Sequence, residues 1–97
     1  MKYDLIEAHH FCFCNQNDLA NDKICGCFYC GSIFNPALIE EYHWMRGTKT
    51  DPGTAICPYC EIDAIIGESS GFPIEKEFLY QMHQFWFGRN PDWWEDS

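Results

Sequence analysis

Cys27 and Cys30 flank Phe28-Tyr29, and Cys57 and Cys60 flank Pro58-Tyr59, so the chain carries two Cys-x-x-Cys pairs with 26 residues between them. Each pair can grip one ion from a single tight turn, and two such turns close a tetrahedral site of four thiolates with metal–sulfur distances near ~2.3 Å. One Zn²⁺ per chain is the expected ion. Four protein ligands leave no position for water, so the expected role of that metal is structural rather than catalytic.

The other three thiols of the chain are less clearly assigned. Cys25 lies two residues before Cys27, on the same face of an incoming strand, and reads either as a buried small hydrophobe or as a thiol open to ligand exchange and redox chemistry. His9, His10, Cys12 and Cys14 form a second run of soft ligands that could hold a further metal, while the alternation of Cys12 and Cys14 equally suits a strand facing a core. Asp63, Glu68, His43, His83, His9 and His10 supply acid–base groups, but they form no recognisable catalytic constellation. No catalytic residue is assigned, and enzyme activity is the weaker expectation. The competing functional readings are a metal- or thiol-dependent enzyme, such as a His-metal hydrolase or nuclease, and a cysteine-based redox sensor acting through Cys25.

The elements around the cysteines follow from local chemistry. A short polar helix or turn is expected over 15–22, then a strand over 24–28, then a knuckle in which Gly31 takes a positive φ and the chain returns through Ile33-Phe34. Asn35 suits a helix cap and Pro36 the first helical position, and Leu38, Ile39, Tyr42 and Met45 follow at helical spacing, so a helix is expected over about 36–46 with Gly47 as its stop. Asp51-Pro52-Gly53 signals a turn, and 54–56 a strand that delivers Cys57. Residues 61–67 read as one or two helical turns, with strand as the competing assignment. Ile74, Phe78, Leu79, Met82, Phe85 and Trp86 trace one face of the main amphipathic helix, expected over about 74–87 and ended by Gly88.

Length and composition bound the whole. A chain of 97 residues has room for one domain, expected over 1–87, and a domain of this size buries little surface, so a metal staple is physically useful. Hydrophobic residues at 46% exclude a disordered acidic protein. With 15 acidic against 6 basic residues the formal charge is −9, and four thiolates with one Zn²⁺ lower it by two more, to −11. Such a surface repels nucleic-acid phosphates and steers a cationic protein instead, so the expected partner is a basic protein. No stretch has the apolar length of a secretory signal or a membrane span, and paired Cys-x-x-Cys suits a reducing compartment, so the expected location is cytoplasmic.

The runs Cys25-Gly26-Cys27-Phe28-Tyr29-Cys30, Cys57-Pro58-Tyr59-Cys60-x-Ile62-Asp63 and Phe72-Pro73-Ile74…Phe78-Leu79-x-x-Met82-His83…Trp86-Phe87 together resemble a family of small bacterial zinc-binding proteins described as cytoplasmic proteins. The resemblance covers about 8–87 and implies no particular activity. It departs at Glu61, where a glycine would be expected after the second pair. Residues 88–97 fall outside it and form an acidic tail in which Trp93 and Trp94, with Asp92 and Glu95, are candidate partner-binding residues.

The expected fold is therefore a small zinc-stapled α+β domain. Two facing knuckles make it zinc-ribbon-like, with a treble clef as the alternative. The expected function is a non-catalytic, zinc-stabilised protein-binding module, of which an immunity-type protein neutralising a basic toxin domain is one form.

Overall fold

The strand β1, Cys25–Cys27, lies at the centre of the computed structural model, which describes residues 3–46 and 52–94. It pairs antiparallel on one side with β2, Ile33–Phe34, and on the other with β5, Ile65–Gly67. A second sheet of two antiparallel strands joins β3, Trp44–Met45, to β4, Thr54–Ala55. Three helices, α1 (Leu5–His9), α2 (Gln16–Leu19) and α3 (Lys76–Phe87), complete a small α+β architecture. None of these helices is long and apolar enough to cross a membrane.

The core forms where α3 crosses the three-stranded sheet. Phe78, Leu79, Met82 and His83 make the buried stripe of α3, at the spacing of one helical face. Gly26 lets this helix come close, because a Cβ there would stand 3.0 Å from both Ile74 Cγ2 and Leu79 Cδ1. Phe28, Ile65 and Ile66 fill the space around β1. The helix begins at Lys76, two residues later than its apolar pattern suggests. Glu75 is still extended, and Ile74 packs as a loop anchor against the sheet. Its end is as expected: Gly88 takes the left-handed conformation at φ 73° and donates its N–H to Gln84 O.

Two sequence assignments are corrected. No α-helix spans 36–46. Asn35 does cap, its Oδ1 accepting from Ala37 N at 2.8 Å, but the turn it opens is a single 3₁₀ turn, Pro36–Leu38. Ile39 is extended and buried, a second 3₁₀ turn covers Glu41–His43, and Trp44 pairs with Ala55. Leu38, Tyr42 and Met45 are exposed, so the helical stripe has no core to face, and strand pairing prevails over local propensity. The second correction concerns 61–67, which is not helical. Ile62 O accepts from Cys57 N, and 65–67 pairs with β1, burying two β-branched isoleucines on the central strand.

Cys12 also departs from expectation, because it ends a 3₁₀ turn, His10–Cys12, that continues α1 and is not part of a strand. Asp4 starts α1 by accepting from Glu7 N at 3.0 Å. The residue that ties this N-terminal segment down is Asn15, 1% exposed. Its Nδ2 donates to Phe11 O and Ile65 O, and its Oδ1 accepts from Ala55 N, so one side chain joins the N-terminal turn to both sheets. Gly47, Asp51 and Glu95, to which sequence features were assigned, lie outside the described residues.

Candidate metal centre

Both Cys-x-x-Cys pairs fold into the same turn. In the first, Cys27 N donates to Ser32 O at 2.9 Å and Gly31 N to Cys27 O at 2.8 Å. In the second, Cys57 N donates to Ile62 O at 3.0 Å and Glu61 N to Cys57 O at 2.9 Å. The spacing explains the match: each turn closes across two intervening residues, which leaves both sulfurs on its inner side. The residue after the second cysteine must then take a positive φ. Gly31 does so at 78°, a conformation glycine adopts without penalty, and Glu61 does so at 64° against the steric preference of a side chain.

The two turns face each other across the sulfurs. Sγ atoms of Cys27, Cys30, Cys57 and Cys60 all lie within 4.8 Å of one another, and they are the only group of three or more potential metal ligands among the described residues. Cys27 Sγ is 3.6 Å from Cys60 Sγ, and Cys30 Sγ is 3.7 Å from Cys57 Sγ. A tetrahedron with metal–sulfur bonds of ~2.3 Å has edges of about 3.8 Å, so these contacts have the size of a metal-bound shell. A disulfide would require sulfurs about 2.05 Å apart, and all seven cysteines are free thiols. The donor set and its dimensions fit a tetrahedral ion.

Electrostatics favour a cation at the same point. Cys27 and Cys57 are fully buried, while Cys30 and Cys60 are partly so. Without a cation, four thiols in one pocket ionise against each other. Hydrogen bonding to Cys30, then to Cys57, with burial added, pushes the Cys27 thiol far up; the same contact with Cys27 holds Cys30 well below the usual thiol range. Burial pushes Cys60 up to about 12. A divalent ion held by Cys27, Cys30, Cys57 and Cys60 would replace this frustrated set with four thiolates and displace their protons. Tyr59 N, which donates to Cys57 Sγ at 3.4 Å, and Ser32 Oγ, 3.2 Å from Cys30 Sγ, add polar support.

The first knuckle has a roof. Lys76 Nζ donates to Gly31 O at 2.6 Å and stands 5.0 Å above the Trp93 ring. Trp93 lies flat against Gly31, where any Cβ would collide with the indole, and its Nε1 donates to Tyr29 O at 2.9 Å. Trp94 stacks on Tyr80 at 4.3 Å, and Pro91 is buried. In the segment read as a tail, Trp93 thus packs on the knuckle and Trp94 on α3, with Asp92 exposed. Residues 89–93, with Tyr29, Cys30 and His83, frame a cleft of about 480 Å³.

The remaining candidates are dispersed. Cys12 is buried, donates to His9 O and has its thiol pushed up to about 12 by burial and by Asp63; Cys14, beyond the turn, is exposed. His9, His10, Cys12 and Cys14 therefore do not converge as ligands. Cys25 is buried and its thiol is likewise pushed up to about 12, chiefly by burial. Glu68 accepts from the backbone N–H groups of Lys23 and Ile24, a structural task. His83, 4% exposed, has Nδ1 2.9 Å from Phe28 O and its ring beside Tyr29 and Phe87. His43 is buried beside Tyr42. Ser32 and Lys76 were not singled out from sequence, and only their closeness in space reveals them. No family model, curated protein or solved structure gave a match to this chain.

Proposed function

We propose that the chain is a non-catalytic protein-binding module held together by one structural Zn²⁺ at Cys27, Cys30, Cys57 and Cys60. The observation that carries this reading is the closed sulfur cluster: two like turns supply all four corners of a tetrahedron, which leaves no corner for a reacting water. The acid–base groups of the chain add weight, since Glu68 is engaged by backbone N–H groups and His83 Nδ1 lies beside Phe28 O, so the two side chains are not paired with each other. A strand rather than a helix follows Cys60, which favours a zinc-ribbon-like arrangement over a treble clef.

Charge selects the partner. A surface of net −9, falling to −11 with the metal, favours a cationic protein and disfavours nucleic acid. The cytoplasm, where thiols stay reduced, is the compartment this metal centre suits. Neutralising a basic toxin domain is the form of binding to which such acidity is best adapted. Immobilised zinc-loaded chain, exposed to a native lysate, should retain one protein at near-equal stoichiometry and release it as salt is raised. Recovery of no stoichiometric protein, or of nucleic acid alone, would overturn the reading.

A further inference from the structure

A slot of about 170 Å³ opens between α1 and the C-terminal end of α3, beside Phe28 and the segment 62–64. Its walls are rings. His9 lies 4.1 Å from Trp86 and 6.2 Å from Phe28, and Phe28 lies 6.0 Å from Phe87. Trp86 and Phe87 remain 37% and 38% exposed, so part of each ring faces solvent at the mouth of the slot. The indole is held in place, because Trp86 Nε1 donates to Leu5 O at 3.3 Å.

One carboxylate stands at the rim. Asp63 is exposed and lines the slot, and no hydrogen bond or ion pair engages it among the described residues. Among the described residues, no lysine or arginine lines the slot either. Burial, followed by the neighbouring His10, lowers the pKa of His9 despite the opposing charge of Asp63, so at neutral pH its imidazole is an uncharged wall. Flat π-faces beside a free carboxylate make a receptor for a cation that is itself flat. A guanidinium can stack on the rings while its N–H fork pairs with the carboxylate oxygens, which an ammonium does less well.

We propose that this slot receives an arginine side chain of the partner protein, its guanidinium stacking on the exposed faces of Trp86 and Phe87 and pairing with Asp63, while buried Phe28 and the ring of His9 back those two side chains. The assignment rests on the protein-binding reading and adds the point at which the partner is anchored. The four tryptophans give separate indole N–H signals in an NMR titration of the zinc-loaded chain, so binding can be located. The probes are the peptide Ac-Gly-Arg-Gly-NH₂ and its counterparts with lysine and with uncharged citrulline. The arginine peptide should shift the Trp86 signal saturably, and the citrulline peptide should bind about tenfold more weakly or not at all. Asp63→Asn, a change at an exposed residue that leaves the amide spectrum otherwise intact, should weaken the arginine peptide about tenfold. Trp86→Leu should act in the same direction.

Equal binding of the citrulline or lysine peptide, wild-type affinity in Asp63→Asn, or shifts confined to Trp93 and Trp94 would overturn the slot. The two readings separate cleanly. A stoichiometric partner captured equally well by Asp63→Asn removes the slot and leaves the module. An arginine-specific response at Trp86 without any protein partner overturns the module and the anchoring role, leaving only a guanidinium site.

Discussion

The two knuckles share a backbone and differ in everything that covers it. Around Cys27 to Cys30 the chain places a lysine on the Gly31 carbonyl, an indole flat on the Gly31 Cα and a buried histidine beside the Phe28 carbonyl. Around Cys57 to Cys60 it leaves Tyr59 60% exposed, with one edge contact to Phe34, and sets Glu61 at a positive φ. Metal geometry requires only the turn, so the turns are alike. Their surroundings answer to packing, and the first knuckle lies under α3 and residues 91–94 while the second faces outward. The lesson is that a shared ion would join a closely covered half to a more open one, whose side-chain cover includes the edge contact of Tyr59 with Phe34.

The largest expected effect ignores the difference. Cys27→Ser and Cys57→Ser should both abolish stable metal binding and cooperative thermal unfolding, because binding free energy of roughly 10 kcal/mol or more at such a site is folding free energy. Circular dichroism melts with metal analysis check this, and a variant of either knuckle that keeps both properties would break the comparison. Next is Trp93→Ala, which removes the roof of the first knuckle alone and should cost about 2 kcal/mol in denaturant unfolding, less than for a fully buried tryptophan. No single aromatic truncation at the second knuckle, such as Tyr59→Ala, should approach it, since the Tyr59 side chain is largely in water.

Smaller effects sharpen the contrast. Gly31→Ala should destabilise by about 1–2 kcal/mol or more, from a left-handed backbone and a Cβ forced into Trp93. Glu61→Gly should stabilise by about 0.5–1 kcal/mol by relieving the same conformation, less the added freedom of the unfolded chain. Opposite signs at equivalent positions, measured by urea unfolding, are the expected outcome. Smallest in energy is a difference in thiol reactivity: in the metal-loaded chain iodoacetamide should modify exposed Cys14 first, with buried Cys12 and Cys25 protected, as peptide mass mapping would show.

What could be read from the sequence was what is local. The Cys-x-x-Cys turns and the clustering of their four sulfurs, the strands next to them, the Gly31 turn and the end of α3 at Gly88 each depend on a few adjacent residues or a short motif, and all are found where expected. The strand at 65–67 and the broken segment at 36–46 depend on pairing with Cys25–Cys27 and Thr54–Ala55, partners far along the chain, so local spacing misled. Asn15 carries no local mark of a buried joint between two sheets; its three contacts come from Phe11, Ala55 and Ile65. The same holds for the candidate site: its four sulfurs were legible as a motif, whereas Lys76 and the Trp93 roof reach the knuckle from distant segments.

The account depends most on one ion being shared between the two turns. Native mass spectrometry of the purified chain, followed by chelation under thermal melting, tests it directly. One zinc per chain, with its removal abolishing cooperative unfolding, is the predicted result. A metal-free chain that melts cooperatively at the same temperature, or a chain that binds two zinc ions, would contradict it.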